Sequence, residues 1–545
     1  MPRDALVLCG PDAPEPARPP DRVVRLDAGP GGNVRLEIEA LARSLWARLT
    51  PVMLDLLDVA AYAYAADQAV PRGRELAPAG EFGGQWRRRY ELHVPVRRPD
   101  LWASPPVRAA LAAALAFPTD DAFDFHFRPA ADPPPALAYL GGDGAAPDAG
   151  RHAEVLLFSG GLDSLGGAVE EAVVRGRSVL LVHHRSTEKD RPRHDRLFAE
   201  LRRRATGPPP ERVSVVVNKA KHLGRETTQR TRSFLFAALA AVCAKAQGLD
   251  RVRFYENGVV SLNLPPSAQV VGTRASRTTH PRTLAGYARL LGLLFGGDFR
   301  VDNPFDLTTK AGVVRSLAAA GCADLIGLTT SCAHTWARTN AHTHCGSCSQ
   351  CVDRRVAVLA AGLEAHDPAT AYRVDLWAGA RDGGVDRAMP AAYWNLAEGV
   401  DRVDTVGFLS RFGELTRTVS PADPAAASKV DAFADLYRRH ARDVLRVCDE
   451  ALARHAGGLR AGTLPATCLV RLLPDTRDPD DGAGAGGGAD AFVVAPDTFR
   501  PCGDGWWVRF GADPPFVLLG TKGAGYLQTV LARPGVAVSA GELAV

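Results

Sequence analysis

The chain of 545 residues sets 65 Lys and Arg against 61 Asp and Glu, a formal net charge of +4; that excludes an obligatory polyanion-binding field and leaves nucleic acid an open question as a partner. With 46% hydrophobic and 23% charged residues it is neither disordered nor fibrous, and its length calls for more than one core. No run approaches the roughly 18 apolar residues of a membrane span, and the opening MPRDALVLCGPDAPEP has no long apolar leader core, so a cytoplasmic protein with no membrane partner is expected.

Residues 1–130 mix strand-like RVVRLDA, NVRLEIE and RYELHVPV with helix-like LARSLWARLTPVMLDLLDVAAYAYAADQAV and VRAALAAALAF. They read as an α+β N-terminal domain whose role the sequence does not show. Within it, Asp55, Asp58 and Asp67 form no recognisable metal pattern. A Pro/Gly-rich linker follows at 131–151. From His152 strand and helix alternate through AEVLLFS, LGGAVEEAVVRG, SVLLVHH, DRLFAELRRR, RVSVVVN, TRSFLFAALAAVCAKAQ and DRVRFYENG. That alternation predicts an α/β fold over 152–365, a doubly wound parallel sheet with crossover helices. Residues 366–473 read as mostly helical, and PDTRDPDDGAGAGGGAD at 474–490 as a flexible linker. The last segment, 491–545, reads as a small α/β module resembling the first part of a winged helix, without the recognition helix that DNA reading requires. The Arg-rich stretches at 87–90 and 191–204 read as solvated faces.

The sharpest signal is VLLFSGGLDSLG at 155–166. A glycine turn between a buried strand and a helix exposes backbone N–H groups, and the helix N-terminus adds partial positive charge, so the junction favours phosphate. Gly160 and Gly161 permit close approach, and the hydroxyls of Ser159 and Ser164 can donate to phosphate oxygens. Asp163 would repel bare phosphate, which points to Mg2+ or a polar substrate group as its partner. No G-x-x-x-x-G-K-[ST] occurs, so this is not a Walker A loop. SGGLDS, residues Ser159, Gly160, Gly161, Leu162, Asp163 and Ser164, instead resembles the pyrophosphate-binding signature of the PP-loop ATPases. The resemblance implies an adenine nucleotide alpha hydrolase-like fold and ATP cleaved to AMP and pyrophosphate.

A second constellation is SCAHTWARTNAHTHCGSCSQC. Cys345, Cys348 and Cys351 supply three thiolates on a tight turn relieved by Gly346, and Cys332 returns from upstream as a fourth. Four soft ligands make a closed tetrahedral Zn2+ site, which is structural because no position stays open for water. An iron–sulfur cluster is the competing metal. His334, His342 and His344 are polar loop residues, substitutes for one ligand, or residues that face the active site.

SGGLDS upstream and the four cysteines downstream, in that order, make residues 152 to about 362 resemble the QueC-type 7-cyano-7-deazaguanine synthases. RTRSFLF (230–236) stands where that family has an arginine-containing helix start, and NPFDLTTK (303–310) resembles its late lysine-bearing loop. The resemblance thus makes Lys310, with Asp163, the candidate catalytic pair; a solvated helix-start lysine is the alternative. The extra segments before and after the fold, and ENGVVSLNLPPSAQVVGTRASRTTHP in the middle, are closer to the longer QueC-like proteins of bacterial anti-phage defence operons. In the resembling family this middle region lies near a purine-like substrate, so Glu256, Asn257, Arg274, Arg277, Thr279 and His280 are the candidate substrate contacts. What the resemblance implies is an ATP-dependent ligase: it adenylates the carboxylate of a 7-deazaguanine-type substrate and transfers it to ammonia or to a protein amine, with partner proteins of a defence operon as acceptor or complex members. A tRNA sulfur-transfer enzyme and a non-catalytic nucleotide-binding scaffold are the other readings.

Overall fold

The computed structural model describes residues 3–13, 22–29, 31–37, 41, 49–72, 87–130, 151–185, 190–226, 228–265, 277–334, 337–339, 341–381, 385–413, 415, 418–419, 424–475, 498–502, 505–509 and 516–519. Residues 4–71 and 89–474 make one compact unit; residues 1–3, 72–88 and 475–545 make a second. Arg274, most of both linkers and everything after 519 in the C-terminal module lie outside the described residues.

The N-terminal segment builds a four-stranded sheet from β1 (Arg3–Cys9), β2 (Val23–Leu26), β4 (Arg88–Val96) and β5 (Ala122–Pro129), in the order β2-β1-β4-β5. β3 (Val34–Leu36) stands apart from that sheet. Helix α1 (Pro51–Ala69) begins at an N-cap, Thr50, with Pro51 fixing the first turn, and it is buried on almost every side. Such a helix belongs inside a protein. Its acids are matched by donors from the segment after β4: Asp55 accepts from the Arg97 and Arg98 backbone N–H groups at 2.8 and 3.0 Å, and the Arg97 guanidinium reaches both Asp55 and Asp58. Packing and charge compensation thus account for the two carboxylates. Helix α2 (Pro105–Thr119) follows β4.

The second sheet has five strands: β6 (Glu154–Leu157), β7 (Val179–His184), β8 (Glu211–Val215), β10 (Arg251–Arg253) and β11 (Arg300–Asp302). Their order is β11-β10-β6-β7-β8 and every neighbouring pair is parallel, the doubly wound α/β sheet that the alternation predicts. Because side chains alternate along a strand, the sheet feeds two cores. Val155, Leu157, Leu180, Val182, Val213 and Val215 face a core shared with α1 and with α5 (Arg232–Ala246). Leu156, Phe158 and Leu181 face a second core. That core is filled from α3 (Leu162–Val169), α8 (Lys310–Ala319), α9 (Ser349–Ala360), α10 (Val385–Asp401) and α11 (Ala426–Arg460). Of the other described helices, α4 (Arg191–Arg204) and α6 (Gly258–Leu262) add to this second core, whereas α7 (Pro281–Phe295) packs into the first; the short strand β9 (Val217–Lys219) pairs antiparallel with β3.

The first core therefore runs from Ala5 to Val301 without a break at residue 130. One buried contact fastens the two stretches directly: Asp67 of α1 accepts from the Thr231 N–H at 2.9 Å and from its hydroxyl at 3.1 Å. Thr231 is the residue before α5.

In the second unit, β12 (Thr498–Cys502), β13 (Gly505–Arg509) and β14 (Phe516–Leu519) form an antiparallel meander.

Candidate active site

In an open parallel sheet, ligands bind outside the carboxyl ends of the strands at the point where the strand order reverses. Here that point lies between β6 and β10, the neighbours from which the order runs outward in opposite directions. The glycine turn follows β6 directly. Gly160 has φ +78°, and a Cβ there would come within 2.5 Å of the His194 ring. Gly161 is the N-cap of α3. The hydroxyls of Ser159 and Ser164 lie 3.1 Å apart, Ser164 donates to the Gly161 carbonyl, and Gly161 N–H reaches Ser159 Oγ at 3.3 Å. The Leu162 side chain is buried in the second core, so what it offers a ligand is backbone. The turn leads straight into an eight-residue helix whose first residues carry Asp163. Hydroxyls, backbone N–H groups and a helix start converge there, which is what holding a phosphate requires.

Behind the turn three helices meet. Lys310 is the first residue of α8, set by its N-cap Thr309, whose hydroxyl accepts from Gly312 N–H. Only 2% exposed, Lys310 places its Nζ 3.2 Å from Asp163 Oδ2 and 2.7 Å from Asp353 Oδ2. It is not a solvated helix-start lysine. Glu256 stands beside this pair, and Asn257 donates weakly at 3.4 Å to both oxygens of Asp163 and to Glu256 Oε1. The electrostatics follow from one ammonium among three carboxyl groups. Burial pushes the Glu256 pKa well above the carboxylate range, Asp163 pushes it further, and Lys310 opposes both. For Lys310, burial works to lower the pKa, but Asp163, Asp353 and Glu256 together leave it raised. Asp353 is pulled the other way: burial would raise it, yet Lys310 and then His440 hold it below its ordinary value. Three carboxyl groups around one ammonium are also a donor set that suits a hard divalent cation such as Mg2+.

Asp353 was not among the residues singled out from the sequence. Its signal was there, an Asp-Arg-Arg run inside an otherwise apolar helix, and all three of these side chains are buried. Asp353 is held by Tyr393 of α10, whose hydroxyl donates to Asp353 Oδ1 at 2.9 Å. The Tyr393 ring meets His440 of α11 edge-on at 5.3 Å. No sequence pattern links residues 40 and 87 positions from Asp353 to the site.

The other candidates form the neighbouring wall. Asn303 holds Glu256 in place, its amide oxygen accepting from Glu256 N–H at 3.1 Å and its nitrogen donating to the Glu256 carbonyl at 2.8 Å. The same nitrogen donates to Ser261 Oγ, and Ser261 donates to Thr279 Oγ1. Asn257 also caps α6 by accepting from Val260 N–H. His280 caps α7 through Nδ1, and Nε2 faces Thr418 Oγ1 at 3.1 Å; burial lowers its pKa to about 4. Phe117 of α2 lies against this wall, with the Arg277 and Arg282 guanidinium groups over its ring at 5.1 and 4.8 Å.

The four cysteines come together as the spacing predicts. Cys332, Cys345, Cys348 and Cys351 are buried, with all four sulfur atoms within 4.8 Å of one another. Zinc–sulfur bonds of about 2.3 Å in a tetrahedron put sulfurs about 3.8 Å apart, and Cys345 Sγ lies 3.8 Å from Cys351 Sγ. The donor set fits Zn2+. Gly346 makes the turn at φ +81°, where a Cβ would lie 1.9 Å from the Val374 carbonyl oxygen. His344 is not needed as a ligand: it stacks on Tyr372 at 4.9 Å and its Nδ1 meets Thr343 Oγ1. The cluster also buttresses the glycine turn. Arg354, fully buried and paired with Asp367, donates to Thr329 Oγ1 and the Ile326 carbonyl, and in that segment Thr330 N–H donates to the Gly160 carbonyl at 3.0 Å.

No protein-family model matches the chain. The chain is similar to the 7-cyano-7-deazaguanine synthase of Ruegeria sp. (strain TM1040), 31% identical over 160 residues, or 29% of this chain and 60% of that relative. It thus spans about three fifths of the relative's length, and among the described residues no helix is long and apolar enough to cross a membrane.

Proposed function

We propose that the protein is an ATP-dependent, AMP-forming carbon–nitrogen ligase of the PP-loop type. It activates the carboxylate of a 7-deazaguanine-type substrate and passes it to an amine. The observation that carries this reading is the Lys310 ammonium held among Asp163, Asp353 and Glu256 immediately behind the Ser159–Ser164 turn, at the switch point of a parallel sheet. The partial similarity to a 7-cyano-7-deazaguanine synthase agrees with it.

A carboxylate is a poor acyl donor because oxide would have to leave. Attack of its oxygen on the α-phosphorus of ATP forms an acyl–AMP and releases pyrophosphate. Ser159, the Gly160–Gly161 backbone and Ser164 would hold the pyrophosphate, and Lys310 would neutralise charge at the reacting phosphorus. The carboxyl groups of Asp163 and Glu256 would hold Mg2+, which supplies charge neutralisation for the triphosphate. Fixed charges and orientation of this kind provide most of the acceleration in such transfers. An amine then displaces AMP; with ammonia the product is the amide. A second activation would carry the amide oxygen away in AMP and leave the nitrile. A protein amine would give a nucleobase–protein amide, the outcome suited to a defence operon that encodes the acceptor. The four-cysteine site takes no step in this chemistry and serves as a Zn2+ clamp on the loop that supports the turn.

The sulfur-transfer reading needs an accessible persulfide-forming cysteine, yet every cysteine whose side chain is described is buried, Cys243 among them in the first core. Arg203 and Arg204 of the Arg-rich α4 are spent on Glu200 and Asp324. The test is incubation with MgATP and 7-carboxy-7-deazaguanine, with and without ammonium, following AMP, small-molecule products and intact protein masses. AMP with amide or nitrile, lost in Asp163→Ala, supports the ligase. AMP formed only with a partner protein that gains one nucleobase points to the protein-modifying form. No AMP in any mixture removes the proposal and leaves a nucleotide-binding scaffold.

A further inference from the structure

Far from the glycine turn in the chain, β4 and β5 carry the same three-residue pattern on neighbouring strands: Glu91-Leu92-His93 and Asp124-Phe125-His126. The two strands are parallel, and their register sets Glu91 opposite Asp124 and His93 opposite His126. Leu92 and Phe125, the middle residues, point into the first core. Alternation along the strand then puts both acids and both imidazoles on the other face. The result is a two-by-two grid of metal-ligating side chains with solvent on its outer side.

The side chains of the grid lie within reach of one another. His93 Nε2 lies 2.8 Å from Glu91 Oε1, His126 Nε2 lies 3.9 Å from the same oxygen, and His126 Nε2 lies 3.4 Å from Asp124 Oδ2. Ligand atoms about 2.0–2.1 Å from a tetrahedral ion are about 3.3 Å from one another, and these separations straddle that value. Glu91, His93 and His126 each offer an atom within 4.8 Å of the other two. The imidazoles stack, 14° apart with centroids at 4.7 Å, and a rotation of these side chains about χ2 is what brings both Nε2 lone pairs onto one ion. Arg108 competes for Asp124, lying 3.3 Å from its other oxygen.

We propose that His93, His126 and Glu91 form a second metal site, with Asp124 beside His126, for one divalent transition cation of the zinc, cobalt or nickel kind. Two imidazoles with a carboxylate select such borderline ions over Mg2+ or Ca2+, which prefer all-oxygen spheres. It differs in chemistry from the closed thiolate site at Cys332, Cys345, Cys348 and Cys351, and it does not depend on the proposed ligase activity. Among the described strands β5 stands at the edge of its sheet, paired with β4, and an ion held from both strands clips that edge in place.

The experiment uses the full-length protein with its cysteine site already loaded with zinc and excess metal removed. Cobalt(II) is titrated in, followed by calorimetry and visible absorption. The expected result is one further equivalent, with d–d bands of a nitrogen/oxygen site and no sulfur-to-cobalt charge-transfer band, and a rise in melting temperature as it binds. His93→Asn and His126→Asn should each weaken it by about 10- to 100-fold, and Glu91→Gln should weaken it too, while the zinc content of the cysteine site stays at one. Because these side chains are on the surface, an unchanged melting temperature without cobalt verifies that each variant folds. No further equivalent, or an equivalent that all three variants bind as tightly as the parent, would overturn the site.

Discussion

Lys310→Met removes the ammonium from between three carboxyl groups while keeping a side chain of similar length. At an effective dielectric of about 20, an opposite charge at 2.7 Å (Asp353) attracts by about 6 kcal/mol and one at 3.2 Å (Asp163) by about 5 kcal/mol. Much of that offsets the cost of taking the ions out of water, so the loss on truncating one partner of such a buried cluster is about 3–5 kcal/mol. The pH dependence is what identifies the mechanism. Glu256 already has a raised pKa from burial and Asp163, with Lys310 opposing; without Lys310 it rises further. A carboxyl group with a folded pKa above its unfolded value contributes stability below the unfolded value and loses it as pH rises through the folded one. The variant should therefore fall short of the parent by the full amount at pH 8 and by much less at pH 5.5. Mg2+, by entering among the acids, should return part of the difference at pH 8. Urea denaturation of the full chain, followed by tryptophan fluorescence at both pH values with and without Mg2+, measures all of this. A loss of equal size at pH 5.5 and 8, or none at either, would show that Lys310 is not the counter-ion of this cluster.

Three shorter expectations accompany it. Gly346→Ala places a Cβ 1.9 Å from the Val374 carbonyl at a residue with φ +81°, so the purified variant should hold well under one zinc per chain by elemental analysis while retaining its far-ultraviolet circular dichroism. Tyr393→Phe deletes the hydroxyl that donates to Asp353; a buried hydrogen bond to a charged group contributes about 1.5–3 kcal/mol, and the loss should nearly vanish in an Asp353→Ala background, which lacks the acceptor, in a double-mutant cycle of denaturation midpoints. The third concerns acid. Burial lowers the pKa of His183, His184 and His280 to about 4 each, so between about pH 6.5 and 4 the unfolded chain takes up protons that the folded one refuses, and stability falls as pH falls. Each histidine accounts for about 2 kcal/mol between pH 7 and pH 5, and denaturation midpoints of the parent at those two values should register the drop.

How much of this was legible follows from the range of the interactions. The five-stranded sheet and the glycine turn are local patterns: apolar runs of strand length, helices between them, and a six-residue junction whose backbone must approach a ligand. The cysteine cluster was legible because ligand spacing is a local constraint for three of its four members. Lys310 stood out through family resemblance and as one of few lysines in an arginine-rich chain, but nothing in LTTK states that the side chain is buried. Asp353, Tyr393 and His440 were not found, because their roles exist only once α9, α10 and α11 have packed into one core. The composition shifts near 130 and 365 are real features of the chain, yet buried contacts cross both. Asp67 holds Thr231, Phe117 supports Arg277, Tyr393 holds Asp353, and Tyr437 of α11 donates to the Val259 carbonyl while accepting from Leu264 N–H. The last three of these contacts end on a residue of the candidate site or two residues from one: Arg277, Asp353, and Val259 beside Asn257. The flanking segments thus set the shape of the wall around Glu256 and the position of Lys310, and a change in what the pocket accepts can arise from α2, α10 or α11 without any substitution in the glycine turn.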